Sequence, residues 1–168
     1  GITINHKQFY EKLIESDILP TTSQAPPIAF AEVFEQVAAA GDTAVVITIS
    51  SRLSGTYQSA CIAAEDFEGK VFVVDSMTAT IGERLLLQMG QRFAREGLDA
   101  ATIAAKLDEL KNKIRIFARL DTLEYLKKGG RISAATAVVG TMLNIKPIIA
   151  VRDGVVENVA KVRGAKAA

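Results

Sequence analysis

Ile47-Thr48-Ile49-Ser50-Ser51-Arg52-Leu53-Ser54-Gly55-Thr56-Tyr57-Gln58-Ser59-Ala60 reads as an apolar strand, a hydroxyl-rich turn and the start of a helix. A helix N-terminus carries several backbone N–H groups without partners, and a partial positive charge. Ser50, Ser51, Ser54 and Thr56 add hydroxyl donors, and Gly55 lets a ligand come close to the backbone. The junction is therefore a candidate site for an anion or a carboxylate. The same residues also suit a plain helix cap, since Ser51 or Ser54 could close its own helix end. Local chemistry supports the two readings equally.

Outward from this junction, strands and helices alternate. Ala44 to Ser50 is an almost unbroken apolar run, which suits a central parallel strand covered on both faces. Before it, Pro26-Pro27 fits a helix start, where the first N–H is not needed. Phe30, Val33, Phe34 and Val37 then follow the spacing of a buried helical face, and Gly41-Asp42 ends it. After the junction come a helix from Gly55 to Glu65, a second buried strand over Val71 to Val74 and a helix from Gly82 to Glu96. A further helix spans Leu98 to Leu110, with Ile103, Leu107 and Leu110 as its stripe and Asp99 as its cap. This alternation indicates an α/β domain with a parallel sheet. An amphipathic helix with Phe9, Leu13 and Ile14 on one side precedes it all.

The pattern changes near Lys113, where Ile114, Ile116 and Ala118 alternate with Arg115 and Phe117 as in a strand with one polar face. Asp121-Thr122-Leu123-Glu124 has the spacing of a capping box, and the short helix it opens ends at Gly129-Gly130. Ser133 to Met142 reads as an apolar helix. Lys146 to Arg152, Asp153-Gly154 and Val155 to Val159 then form a hairpin with a type I′ turn signal. A hairpin implies a mixed sheet, so a parallel α/β domain over 1–112 is expected, followed by a mixed-sheet α/β domain over 113–168.

Composition removes several functions. The 168 residues are 49% hydrophobic, enough for a substantial core, and the net charge of +1 gives no electrostatic basis for binding nucleic acid. A single cysteine, Cys61, excludes an intrachain disulfide and fits a cytoplasmic protein; it reads as a small buried apolar residue. No apolar run approaches the roughly 18 residues of a membrane span. Ser51-Arg52-Leu53-Ser54-Gly55 lacks the first glycine of a nucleophile elbow, and the lone His6 starts an exposed helix. One cysteine and one histidine cannot build a zinc site, so no metal is expected. No carboxylate pair is marked as an acid/base couple, and no catalytic residue emerges.

Ser51 to Ala60 resembles the signature of the DegV family, bacterial proteins that bind fatty acids. Leu19-Pro20-Thr21-Thr22-Ser23-Gln24 is similar to that family's Pro-Thr-(Thr)-Ser-Gln stretch, and Val73-Val74-Asp75-Ser76 to its second strand-end Asp-Ser. Asp121 to Ser133 followed by Leu143-Asn144-Ile145-Lys146-Pro147 is the most specific match, and the likeness runs in order from about residue 1 to 166. It implies a DegV-like two-domain fold: a parallel three-layer α/β/α domain and a mixed-sheet domain, both incomplete in this segment. It also implies a lipid carrier, not an enzyme, holding a long-chain fatty acid between its domains and presenting it to a fatty-acid kinase for phospholipid synthesis. By the same resemblance Thr22 and Ser54 hydrogen-bond the carboxylate, with Thr21, Ser23, Gly55 and Thr56 as neighbours. Met77, Ile81, Val138, Val139 and Met142 are candidates for lining the acyl tail. Arg163 and then Arg131 are candidates for contact with the kinase or a membrane surface. Apart from the bound fatty acid, no cofactor is implied.

Two departures accompany the resemblance. The family's frequent glycine before the signature leucine is Arg52 here, and the leading Thr-Asp-Ser strand end and a carboxylate-holding histidine lie outside these residues. The alternative is a small-molecule phosphotransferase related to the dihydroxyacetone kinases, with the serine turn holding a phosphate. That relative binds its substrate through a histidine, and His6 stands in the wrong context.

Overall fold

The structure, a computed structural model, describes residues 3–16, 19–132 and 145–163. Among these the order is α1 (His6–Glu15), α2 (Pro27–Ala39), β1 (Ala44–Thr48), α3 (Thr56–Ala64), β2 (Val71–Asp75), α4 (Ile81–Arg95), α5 (Ala100–Leu110), β3 (Ile116–Arg119), α6 (Glu124–Lys128), β4 (Ile145–Arg152) and β5 (Val155–Arg163). The expected helix over 133–142, and with it Val138, Val139 and Met142, lies outside the described residues.

β1 and β2 pair in parallel, with Ala44 opposite Val71 and Thr48 opposite Asp75. Helices cover both faces, as the continuous apolar runs require. On one side Val45 and Ile47 pack with Val74, Leu86, Ile103 and Leu107; on the other Val46 and Val73 pack with Phe34, Ala63 and Val71. Asp99 caps α5, its carboxylate accepting the Thr102 N–H at 2.8 Å. Pro27 occupies the first turn of α2, as its missing N–H favours. Val33 departs from the expected buried face of that helix: Phe34 is buried, Phe30 and Val37 are half-buried, and Val33 is 52% exposed. α1 buries none of its residues, and Ile14 stands 82% exposed. Its N-terminus is closed by an Asn5–Gln8 capping box.

β3, β4 and β5 form a separate antiparallel sheet in that order. The hairpin turn between β4 and β5 has φ of +46° at Asp153 and +79° at Gly154, the two positive values a type I′ turn needs. The capping box expected at Asp121–Glu124 does not form. α6 begins at Glu124 with Leu123 at the cap position, and the Glu124 N–H goes to Thr122 Oγ1 at 3.0 Å. Asp121 is drawn instead to Lys146 of β4, 2.7 Å away, and this ammonium holds its carboxyl below the usual range. Glu124 pairs with Lys128, one turn on, rather than reaching back. A long-range ion pair and a helical i,i+4 pair thus outcompete the local cap. At the other end of α6, Gly130 takes φ +72° and the Arg131 N–H returns to the Leu126 carbonyl, closing the helix.

Candidate functional site

The parallel strands end beside each other, and the segments leaving them are tied together by hydroxyls and one carboxylate. Asp75 Oδ1 accepts the Ser51 N–H at 3.1 Å and the Met77 N–H at 3.0 Å. The Ser50 N–H donates to the Thr78 carbonyl at 2.9 Å, and the Ser76 N–H to the Thr48 carbonyl at 3.2 Å. Ser50, Ser59, Ser76, Thr48 and Thr78 are all buried, so the carboxyl edge of this sheet is a polar layer inside the protein. Thr48 Oγ1 has no hydrogen-bond partner among the described residues. Strand alternation puts Thr48 on the same face as Val46, the face that packs under α2 and α3.

The turn itself is built on Ser50, whose carbonyl accepts the Leu53 N–H at 2.9 Å and the Ser54 N–H at 3.2 Å. Gly55, not a serine, occupies the N-cap position of α3. Ser54 sits just before it. Its Oγ accepts the Thr56 N–H at 3.3 Å and lies 2.8 Å from Thr56 Oγ1, where either hydroxyl can donate. Of the four hydroxyls, only Ser54 and Thr56 meet in this way; Ser51 is exposed and Ser50 faces the hairpin turn. Gly55 leaves room for the side-chain amide of Gln24, which lies where a Cβ would stand. Gln24 thereby seats the Leu19–Gln24 loop against the start of α3.

Thr21 and Thr22 lie on that loop, both exposed, on the wall of a cavity of about 670 Å³ shared with Phe9, Leu13, Leu19, Tyr125, Leu126 and Arg131. Ser23 is exposed and off this wall. Arg131 connects the two halves of the candidate site, since its Nε donates to the Leu53 carbonyl at 3.3 Å, one residue before Ser54. It also lines a second cavity with Arg52, Leu53, Val155 and Val156. Arg163 is the last residue of β5, exposed and paired with Ile145. Met77 and Ile81 part company. Met77 lines a cavity of about 710 Å³ with Ile114, Phe117 and Val151, whereas Ile81, the first residue of α4, is 66% exposed and off its wall. Gln24, Thr48 and Asp75 are not site candidates on local sequence chemistry. The strand-end Asp75-Ser76 and the loop-end Gln24 stood within the matched motifs, which was the signal available for them.

One titration is displaced close to the turn. A side-chain hydrogen bond with Cys61, one turn along α3, together with burial, pushes the Tyr57 phenol up to about 12 from 10.0. His6 heads α1 on the surface, and no group of three His, Cys, Asp or Glu among the described residues is placed to hold a metal. No helix among the described residues is long and apolar enough to cross a membrane.

The described elements define an α/β protein in which a parallel and an antiparallel sheet meet over a hydroxyl-rich strand-to-helix turn. The profile of the DegV family ("Uncharacterised protein, DegV family") matches residues 1–168, and the chain belongs to that family. A DegV domain-containing protein of Caldanaerobacter subterraneus subsp. tengcongensis is 38% identical over 169 residues, covering 100% of this chain and 60% of that protein. A solved DegV family protein of Thermus thermophilus, described for its fatty-acid binding, has a TM-score of 0.86 at 37% identity, over 97% of this chain and 58% of its own. A stearic acid-binding protein of Eubacterium ventriosum has a TM-score of 0.85 at 30% identity, over 99% of this chain and 59% of its own. The chain thus spans about 60% of the length of the relatives it matches.

Proposed function

We propose that this chain is the carboxylate-gripping part of a cytoplasmic carrier that binds a long-chain fatty acid and presents it to a fatty-acid kinase. In this reading residues 1–112 and 113–168 belong to two domains, with the ligand between them. The observation that carries it is the start of α3: a helix N-terminus, a Ser54–Thr56 hydroxyl pair and a loop bearing Thr21 and Thr22, whose Gln24 side chain lies against Gly55. A carboxylate there would meet hydroxyl donors and the positive end of the helix dipole together. Thr22 and Ser54 grip the headgroup, and Thr21, Ser23, Gly55 and Thr56 shape its surroundings. The unpartnered Thr48 hydroxyl behind α3 adds to the reading, because buried polar groups without partners are costly. The acyl tail needs an apolar wall of some length. The cavity of about 670 Å³ beside Thr21 and Thr22, walled by Phe9, Leu13, Leu19 and Leu126, falls in the usual range of ligand pockets.

Support also comes from the solved relatives described as fatty-acid binders. Arg131 and Arg163 are proposed to face the kinase, with Arg131 closest to the headgroup through its bond to Leu53. The carrier has no catalysis of its own; the kinase acts on the carboxylate. Mass spectrometry of the full-length protein, denatured after purification from cells, is expected to release a long-chain fatty acid. A protein that carries none, takes up no added palmitate or oleate and transfers phosphate from ATP to a small sugar-like substrate would replace this reading with the phosphotransferase one.

A further inference from the structure

The turn that presents Ser54 is fastened to the hairpin of the other sheet, about a hundred residues away in sequence. Ser50 Oγ, fully buried, donates to the Gly154 carbonyl at 2.8 Å and accepts the Arg52 N–H at 3.2 Å. Arg52 Nη1 donates to the Asp153 carbonyl at 3.2 Å. Gly154 is buried, and at φ +79° a Cβ there would lie 2.5 Å from Ser50 Oγ, 3.1 Å from Met77 Cε and 3.3 Å from Arg52 Cδ. The hairpin turn therefore seats only with glycine at its tip. The strained conformations gather here too: Asp153, Met77 and Gly154 all have positive φ.

We propose that Ser50 and Arg52 are positioning residues that latch the Asp153–Gly154 turn onto the 50–54 turn, so that the second sheet sets how Ser54 is presented. This rests on the carboxylate reading of Ser54. The coupling has a simple origin. A serine hydroxyl has one proton, and that of Ser50 is committed to Gly154; its carbonyl, a few bonds away, holds the Leu53 and Ser54 amides. If the hairpin withdraws, a buried hydroxyl loses its acceptor and must rotate into the turn or remain unpaired, and either disturbs the frame that holds Ser54. Ligand release and separation of the two sheets are then one event.

The test uses the full-length protein and two variants on opposite sides of the latch. Arg52→Ala changes an exposed side chain and leaves the core intact; Gly154→Ala presses a methyl group onto Ser50. Amide hydrogen exchange is read at Ser54, with Val46 and Val74 in the parallel strands as folding controls. Dissociation of bound cis-parinaric acid is followed by fluorescence. For the loss of one solvent-exposed guanidinium–carbonyl hydrogen bond, exchange at Ser54 and ligand dissociation should both rise about two- to tenfold in Arg52→Ala. The rise should be larger in Gly154→Ala, and Arg52→Lys, which keeps a donor, should stay closer to wild type. Unchanged exchange at Ser54 in both variants, with the strands still protected, overturns the latch. Faster exchange with unchanged dissociation overturns its link to the ligand. If the wild type binds no fatty acid, the carboxylate reading fails, and the exchange data still decide whether the two turns are coupled.

Discussion

Ser54 can donate to a ligand only if its neighbour donates to it. Ser54 Oγ and Thr56 Oγ1 are 2.8 Å apart with one proton between them, so a proton from Thr56 frees that of Ser54 for a carboxylate. Ser54→Ala should then lose one charge-assisted bond, about 1.5–3 kcal/mol, and fatty-acid affinity should fall about ten- to hundredfold. On the proposed carboxylate site Thr22→Ala would remove a bond to the same group, so the double variant should fall short of the sum. Titration with a fluorescent fatty acid beside thermal melts checks this: a lowered melting temperature with wild-type affinity would leave Ser54 only its local bond to Thr56. Tyr57 offers a second test on the same helix. Its phenol titrates at about 12 through its bond to Cys61, so the fold favours the neutral form. The stability this lends is whole below pH 10, the unfolded value, and is lost as pH rises through about 12. Cys61→Ala should bring the titration down toward 10.0, observable by NMR of labelled tyrosine.

At the level of single elements, α5 tests how much a cap contributes. The Thr102 backbone and hydroxyl donate to the Asp99 carboxylate and hold its titration below the ordinary 3.8. A lowered carboxyl stabilises above its unfolded value, and that stability is lost as pH falls through the folded one. Asp99→Asn keeps an acceptor and cannot titrate, so it should match wild type near neutral pH and melt at a higher temperature than wild type in strong acid. Thermal melts across that range decide it. α4 tests packing in the same manner. Leu86 is fully buried against Val74, Ile103 and Leu107, so Leu86→Ala should cost about 2–5 kcal/mol in chemical denaturation. Its neighbour Leu85 is 45% exposed, and Leu85→Ala should stay within about 0.5 kcal/mol of wild type.

For the whole molecule, a ligand held between the two sheets stabilises both together, because it binds only the folded arrangement. At a free concentration a hundred times its dissociation constant, a fatty acid should add about 2.7 kcal/mol of stability. The melting temperature of delipidated full-length protein should therefore climb with added oleate, and climb far less in Ser54→Ala. A short acid with the same headgroup and no tail should give little of this shift, since most of the binding energy lies in burying the chain.

The sequence by itself determined the elements and their order. Hydrophobic period, Pro26-Pro27, the Asp99 cap and the Asp153-Gly154 turn are local signals, and each acts through backbone geometry within a few residues. The motif residues around Ser54 and Thr22 were legible as a match in order along the chain. The tertiary structure alone decided which polar groups meet. Asp121 has the spacing of a cap, but the fold brings Lys146 of β4 within 2.7 Å of it, and its carboxylate turns to that partner instead. Val33 had helical spacing but no second layer to cover it. Ser50 looked like one more hydroxyl in the turn; its role came from Gly154, a residue no local rule could place 2.8 Å away. Nothing local in the sequence ties Arg131 to Leu53; that bond depends on how α6 docks beside the first sheet. Local propensity fixes where a chain turns and coils, whereas hydrogen bonds between distant segments exist only once packing has brought them within reach.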